Sequence, residues 1–195
     1  ENYPVMTVTA ITMRRDPLYL TTHTGRPPDE PSVIGAVFNR LAVPFIRRRI
    51  PEILDLWLPP EACSYRMAVV CIDKRYPGQA RRVAMALWGL LPQFSYTKVV
   101  IVTDADIDPR SWPDIAWALS TRMDPARDLM VVDRTPIDTL DFASPEPGLG
   151  GKLAIDATRK IGAETARDWG ETLHMPTALE DRAGALFSAL MSACR

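Results

Sequence analysis

The chain has 195 residues, the length of one domain or of one domain with a fragment of another. Its 23 Lys and Arg residues nearly balance its 24 Asp and Glu residues, which excludes a strongly basic nucleic-acid-binding surface. With 47% hydrophobic and 24% charged residues the composition is that of a folded globular protein, and no apolar run reaches the roughly 18 residues of a membrane-spanning helix.

Histidine and cysteine are scarce. The two histidines, His23 and His174, disfavour a multi-histidine metal site or a Ser-His-Asp triad within the chain. The three cysteines, Cys63, Cys71 and Cys194, form no CxxC pair, which disfavours a zinc site or a disulfide framework. Cys71 lies in an apolar run and is expected to be an inert core thiol. Because the N-terminus also lacks a signal peptide, we expect a reduced, cytoplasmic protein.

The first segments have the composition of β-strands. Residues 4–13 and 18–24 are rich in Val, Thr, Ile and Leu, and the turn 14–17 would join them into a hairpin. An isolated hairpin is marginal in water, so other structure has to cover it.

A helix is predicted after the proline-rich loop 25–31, with Asp29 or Ser32 as its cap. Pro44 is expected to kink or end this helix near its last turn. The arginines 47–49 either complement the helix C-terminus or form a patch for an anionic partner. Helical spacing predicts one buried apolar face, made of Ile34, Val37, Phe38, Leu41 and Phe45.

From residue 51 to about 135 strands and helices alternate. Four strands are predicted, at 53–58, 66–72, 98–102 and 128–132. Helices are predicted at 77–91 and from Ser111 onward, where Asp114 completes a capping pattern. This alternation predicts an α/β fold, a layered sheet with packed helices.

The last third is predicted to hold a long loop and a helix. Residues 135–152 are rich in Pro and Gly and are predicted to form an ordered loop of functional importance. Thr177 and Glu180 form a capping box at the start of the helix. That helix carries an apolar stripe made of Leu179, Ala183, Leu186, Phe187 and Leu190.

Two motifs invite a functional interpretation. Asp104, Asp106 and Asp108 follow a buried strand, where alternate carboxylates could hold Mg²⁺ or Mn²⁺ in a stand-alone metal-dependent transferase. The alternative is that these residues end the strand and cap turns. The GLGGK sequence at 148–152 lacks the spacing of a phosphate loop, so its glycines are expected to serve backbone turning and Lys152 to be a surface or pocket residue.

Several longer stretches together are more specific than any single motif. In chain order they are YPVMTVTAITMRRDPLY, HTGRPPDEP, LPPEACSYRMAVVCI, TRMDPARD and TPIDTLDFASP. This run resembles the C-terminal part of the UbiD family of decarboxylases, most strongly the members that act on 3-polyprenyl-4-hydroxybenzoate in ubiquinone biosynthesis. The resemblance covers nearly the whole chain and fades after about residue 160.

The resemblance implies a parent enzyme that decarboxylates an aromatic acid without oxidation. Family members use prenylated FMN together with Mn²⁺ and K⁺, and the modified flavin is the electron sink for loss of CO₂. It also implies a homo-oligomer, a polyprenylated aromatic acid as ligand and no nucleic acid. A lipid-like substrate adds peripheral membrane association of the complete enzyme as a further expectation.

The chain departs from the family in one respect. The flavin and metal ligands, and the acidic pair of an EGPxG[ED] motif, are expected upstream of Glu1, so no catalytic, cofactor or metal residue is expected here. The resemblance divides the chain into the tail of a flavin-binding β-barrel domain (1–24), a linker with a connecting helix (25–50) and a C-terminal α/β domain (51–195). It also predicts that the chain is an inactive fragment, consistent with its start at Glu and not at Met.

Three residues are candidates for the wall of the substrate pocket. Thr97 lies at the start of a buried strand, and Ile137 and Thr139 lie in the long loop. The alternative for each is ordinary loop or core packing. The helix at 33–50 is expected to take part in domain closure. The C-terminal helix, through Leu186, Phe187 and Leu190, is either an oligomer interface or part of the core.

Overall fold

The structure, a computed structural model, describes residues 3–193. A five-stranded sheet has the order β1-β2-β3-β5-β4, in which β2, β3 and β5 are parallel and the two edge strands are antiparallel. The strands are β1 (Ile53–Trp57), β2 (Met67–Ile72), β3 (Val99–Asp104), β4 (Leu129–Pro136) and β5 (Leu149–Ala157). The helices are α1 (Glu30–Arg49), α2 (Gln79–Leu90), α3 (Trp112–Arg122), α4 (Pro125–Asp128) and α5 (Thr177–Ala193). The mixed α/β layered fold is confirmed.

Both faces of the sheet are covered. On one face α1 and α2 pack against alternate strand residues such as Val70 and Val100, and on the other α3 packs against Val69 and Ile101. Strands β2 and β3 are therefore buried on both sides, which explains why their sequences are continuous apolar runs without alternation.

Helix α1 begins as predicted, with Asp29 as its N-cap in a capping box with Ser32. It nevertheless continues past Pro44 to Arg49. The prediction of one buried apolar face is wrong for the described part of the chain. The residues of that face are 49–67% exposed, namely Ile34, Val37, Phe38, Leu41 and Phe45.

A different face of α1 contacts the sheet. The side-chain amide of Asn39 donates to the carbonyl of Leu56 at 2.9 Å and accepts from the backbone N–H of Leu58 at 3.1 Å. Ile46 and Ile50 enter the core beside it. Asn39 thus satisfies backbone groups at the end of the edge strand, and it lies on the same inward side of α1 as Ile46.

The N-terminal hairpin is not formed. Residues 3–24 contain no strand, and Val5 and Leu20 are 93% and 94% exposed. The predicted strands 4–13 and 18–24 have no partner among residues 3–193, and without one an isolated hairpin is only marginally stable. Their origin as the end of a β-barrel domain stays a prediction.

The loop between β4 and β5 is shorter at both ends than the predicted range 135–152. Strand β4 continues to Pro136, and β5, which the sequence analysis missed, begins at Leu149 and lies between β3 and β4. The sequence does not predict this strand, because it contains Gly150 and Gly151, and glycine is depleted in strands and suggests a loop. Lys152 is correspondingly buried, with 5% exposure, and is not a surface residue.

Helix α5 contributes nothing to the core described. None of its described residues is buried, and Leu186, Phe187 and Leu190 are 58–66% exposed. The prediction that they belong to the core of this domain is therefore wrong for residues 3–193.

Cys71 is buried as predicted, and burial raises the pKa of its thiol to about 12. Cys194 lies outside the described residues. None of the helices described is both long and apolar enough to cross a membrane.

Candidate functional site

The candidate site lies at the sheet edge where β2, β3 and β5 begin. Because β4 is antiparallel to β5, the end of β4 lies at this same edge, where Pro136 pairs with Leu149. The loop 137–148 therefore meets the residues that precede β2 and β3. We call this region, made of residues 65–66, 97–98, Lys152 and the loop 137–148, the amino edge.

Charged side chains brace the loop at the amino edge. Tyr65 donates its hydroxyl to Asp138 at 2.5 Å, and the Lys98 ammonium lies 2.8 Å from Asp141. Arg66 reaches both carboxylates, at 3.4 Å and 3.2 Å. Asp138 also accepts from the backbone N–H of Leu140 at 2.9 Å, so the loop is held both internally and from β2 and β3.

The pKa values of this cluster follow from its contacts. Burial and the hydrogen bond to Asp138 raise the pKa of Tyr65 to about 12. The same bond is the main reason that the pKa of Asp138 lies below its usual value. Burial would raise the pKa of Asp141, but the Lys98 ammonium and other donors outweigh it and lower this pKa. Both carboxyl groups are therefore ionised near neutral pH.

The braced loop presents apolar side chains to solvent. Leu140 is 70% and Phe142 is 94% exposed, although the backbone between them is fixed through Asp138 and Asp141. A loop that is held by hydrogen bonds and ion pairs and exposes large apolar side chains is suited to contact with a ligand or with another part of a protein.

The three predicted pocket residues fall in this region but differ in exposure. Thr97 is fully buried and its Oγ1 has no hydrogen-bond partner among the residues described, while its carbonyl accepts from the Trp88 indole at 3.1 Å. Ile137 is 3% exposed, and Thr139 is exposed. Of the three, only Thr139 presents its side chain to solvent, and the role of all three as pocket residues stays a prediction.

A strained turn precedes the amino edge. Cys63 and Ser64 are consecutive non-glycine residues in the left-handed region, with φ of 53° and 71°. The Ser64 hydroxyl donates to the Pro31 carbonyl at 3.3 Å, and a Cβ at Gly35 would lie 3.2 Å from the Cβ of Ser64. This turn connects the start of α1 to Tyr65.

The predicted metal motif lies at the opposite edge. Arg122 donates to Asp104 at 2.7 Å and to Asp106 at 2.5 Å, while Asp108 accepts from the N–H of Arg110 at 2.9 Å. Among residues 3–193 no group of three or more His, Cys, Asp or Glu side chains is placed to hold a metal ion. Asp104 and Asp106 are therefore both paired with Arg122, Asp104 in a buried contact and Asp106 in a partly exposed one, which corrects the transferase interpretation.

A cavity of about 1020 Å³ opens at this carboxyl edge. Its walls carry cations such as Arg159 and Arg167, carboxylates such as Asp106 and Asp168, and the ring of Trp169. Side chains of both charges therefore line it.

Sequence patterns did not single out the charged residues of the amino edge. Arg66, Lys98, Asp138 and Asp141 each lie near a predicted strand end, but strand order and direction determine which of them meet. Because β5 was not predicted, the position of Lys152 within it was not predicted either.

Comparisons with known proteins agree with this architecture. The profile of the 3-octaprenyl-4-hydroxybenzoate carboxy-lyase C-terminal domain, a UbiD-family domain, matches residues 32–157. Vanillic acid decarboxylase of Sedimentibacter hydroxybenzoicus in its open form is 26% identical with a TM-score of 0.71, over 85% of this chain and 35% of that one. Its closed form is 27% identical with a TM-score of 0.66, over 74% and 30%.

A third structure shares the fold. The UbiD-class enzyme HmfF of Pelotomaculum thermopropionicum, in complex with FMN, is 24% identical with a TM-score of 0.60, over 76% of this chain and 32% of that one. The chain thus spans about a third of the length of the solved structures it matches. The family profile covers well over half of the chain, and the chain therefore belongs to the UbiD family as its C-terminal domain.

Proposed function

We propose that this chain is the C-terminal domain of a prenylated-FMN-dependent decarboxylase that removes CO₂ from an aromatic acid without oxidation. The flavin, with Mn²⁺ and K⁺, would be held by residues outside this chain, since Asp104 and Asp106 are already paired with Arg122. The part of this domain is to cover the substrate pocket with its amino edge.

The loop 137–148 is the observation that carries this proposal. Its backbone is fixed by Tyr65, Arg66 and Lys98, while Leu140 and Phe142 point into solvent. A rigid apolar surface of this kind excludes water from a reacting centre when a domain closes over it. Vanillic acid decarboxylase, which shares the fold, is known in open and closed forms.

The proposed substrate is a 3-polyprenyl-4-hydroxybenzoate of ubiquinone biosynthesis. Apolar side chains such as Phe142 complement a prenyl tail, and Thr139 would lie beside them. A substrate of this kind would also bring the complete enzyme to a membrane surface.

Substitution of Phe142 tests the pocket. In the full-length holoenzyme, Phe142→Ala should raise KM for a prenylated 4-hydroxybenzoate by roughly tenfold or more, because an aromatic side chain buried against substrate contributes about 2 kcal/mol. Met85→Ala, which removes an exposed side chain from α2, is the matched control and should leave KM unchanged. Equal KM values for both variants would contradict the proposed wall.

The isolated chain provides a second test. It should neither bind prenylated FMN nor release CO₂ from an aromatic acid, because the proposal places the flavin ligands elsewhere. Tight flavin binding by residues 1–195 alone, measured by flavin fluorescence, would contradict the proposal that the flavin ligands lie outside this chain.

We further propose that α5 forms contacts between copies of the protein. Its apolar stripe has no partner within the described chain, and Leu186 and Leu190 are 58% and 64% exposed. Light scattering should show a smaller particle for the double variant Leu186→Asp, Leu190→Asp, whereas Ser188→Asp on the opposite face should not change the mass. An unchanged mass with an intact fold would exclude α5 as the interface.

A further inference from the structure

Lys152 differs from the other buried lysines of the chain. Of the four lysines, Lys74, Lys152 and Lys160 are at most 5% exposed. Lys74 lies 2.7 Å from Glu164, and Lys160 lies 3.0 Å from Asp156. Among residues 3–193 no carboxylate lies within ion-pair distance of Lys152, and burial alone lowers its pKa.

The partners of Lys152 are two backbone carbonyls from different segments. Its ammonium donates to the carbonyl of Ser95 and, at 2.9 Å, to that of Pro136. Ser95 lies two residues before Thr97, and Pro136 immediately precedes Ile137 and the loop. The ammonium therefore joins the two segments that carry the proposed pocket residues.

A charge buried without a counter-ion is costly for a fold, so stability alone does not favour this arrangement. An apolar side chain could fill the same space, but it could not donate hydrogen bonds to the carbonyls of Ser95 and Pro136. A charged donor also forms stronger hydrogen bonds than a neutral one and fixes their geometry. The placement is suited to holding the two segments at a fixed separation.

We infer that Lys152 is a positioning residue for the substrate pocket, which it serves by fixing the 94–97 segment against the 137–148 loop. This inference rests on the proposed function for its consequence in catalysis, but not for its structural content. Lys152 contacts neither substrate nor flavin in this role, and it acts through the Ser95 and Pro136 carbonyls.

Hydrogen–deuterium exchange tests the structural content directly on the chain. In Lys152→Met, amides of 94–97 and of 137–144 should exchange roughly ten- to a hundredfold faster, which corresponds to the loss of one or two charge-assisted hydrogen bonds. Amides of α3, on the other face of the sheet, should keep their rates. The matched control is Arg134→Met, which removes an exposed cation beside the same loop and should change neither segment.

The outcomes separate a local effect on the two segments from a general loss of stability. Unchanged rates in both segments, or equal acceleration that includes α3, would overturn the inference. If Lys152→Met does not fold, Lys152→Gln keeps an amide donor of shorter reach and should accelerate the same two segments to a smaller extent, and unchanged rates would again overturn the inference.

Kinetics of the full-length holoenzyme complete the test. Lys152→Met should raise KM about tenfold or more with kcat changed less, because displaced walls weaken substrate binding. An unaltered KM beside faster exchange would overturn the link to the pocket. If the unmodified enzyme shows no decarboxylation while the exchange result holds, the proposed function fails and the positioning by Lys152 stands.

Discussion

Lys160 shows how single residues are held at the carboxyl edge. It is 1% exposed and lies 3.0 Å from Asp156 and 3.4 Å from Asp128, and it donates to the carbonyl of Thr158 at 2.9 Å. Lys74 shares Asp156 with it, so two buried ammonium groups and their carboxylates form one network.

Replacement of Lys160 should therefore be costly. Lys160→Met leaves Asp128 and Asp156 buried with fewer partners, and we expect the free energy of unfolding to fall by about 3–5 kcal/mol. Arg75→Met, which breaks an exposed pair with Asp73, should change it by at most about 1 kcal/mol. Urea denaturation followed by circular dichroism measures both, and similar values for the two variants would contradict the role of burial.

Tyr65 makes stability depend on pH in the alkaline range. Its pKa is raised from 10.0 to about 12 in the folded protein, so the neutral phenol is favoured by folding. This contribution is fully present below pH 10 and is lost as the pH rises toward 12. The difference in unfolding free energy between the unmodified chain and Tyr65→Phe should therefore be largest below pH 10 and shrink above it. A difference that stays constant from pH 9 to 12 would contradict the Tyr65–Asp138 hydrogen bond.

At the scale of elements, the position of the loop 137–148 depends on a close approach to β5. A Cβ placed on Gly150 would lie 2.8 Å from the hydroxyl oxygen of Ser144 and 3.3 Å from Ile137. The loop also closes on itself, because the N–H of Ile137 donates to the carbonyl of Gly148 at 3.1 Å. The loop and the strand are thus one packing unit.

Two glycine substitutions should have opposite effects. Gly150→Ala displaces the Ser144 hydroxyl and crowds Ile137, and we expect a loss of about 1 kcal/mol in unfolding free energy. Gly89→Ala, in α2 where nothing lies within 4 Å, should instead add about 0.5 kcal/mol through helix propensity. Thermal unfolding measures the two changes, and a stabilising effect of Gly150→Ala would show that the loop is not packed as described.

At the scale of the whole molecule, α1 buries one face in this domain and leaves its apolar stripe exposed. Ile46 is 2% exposed and lies in the core, whereas Phe38 is 65% exposed. The amide of Asn39 and the hydrogen bond from Ser64 to the Pro31 carbonyl attach α1 to the α/β domain. We therefore expect α1 to move with this domain during closure, with any change of orientation located before Asp29.

The two faces should respond differently to substitution. Phe38→Ser should change the unfolding free energy of the chain by no more than about 0.5 kcal/mol, while Ile46→Ser should lower it by about 3 kcal/mol or more. Urea denaturation of the chain provides the comparison. A large loss for Phe38→Ser would mean that the exposed stripe is covered by this chain itself.

The sequence predicted most of the sheet and the helices. Strands β1 to β3 and helices α1 to α3 were located to within a few residues, because continuous apolar runs and helical spacing reflect burial directly. The family was also identified from sequence, through several segments in order. Strand β5 was not found, because its glycines and Lys152 resemble a loop and only the neighbouring strands supply the reason for burying them.

The amino acid sequence by itself determined most of the strands and helices of the α/β domain and the family to which the chain belongs. The tertiary structure decided which apolar faces this domain buries and which charged residues meet at its edges. Helical spacing shows that α1 has an apolar stripe, but the face with Asn39 and Ile46 packs on the sheet and leaves that stripe exposed. The amino edge likewise exists only because β4 is antiparallel to β5, which brings Asp138 and Asp141 to Arg66 and Lys98. Both are contacts between residues far apart in the chain, and local sequence patterns carry no information on them.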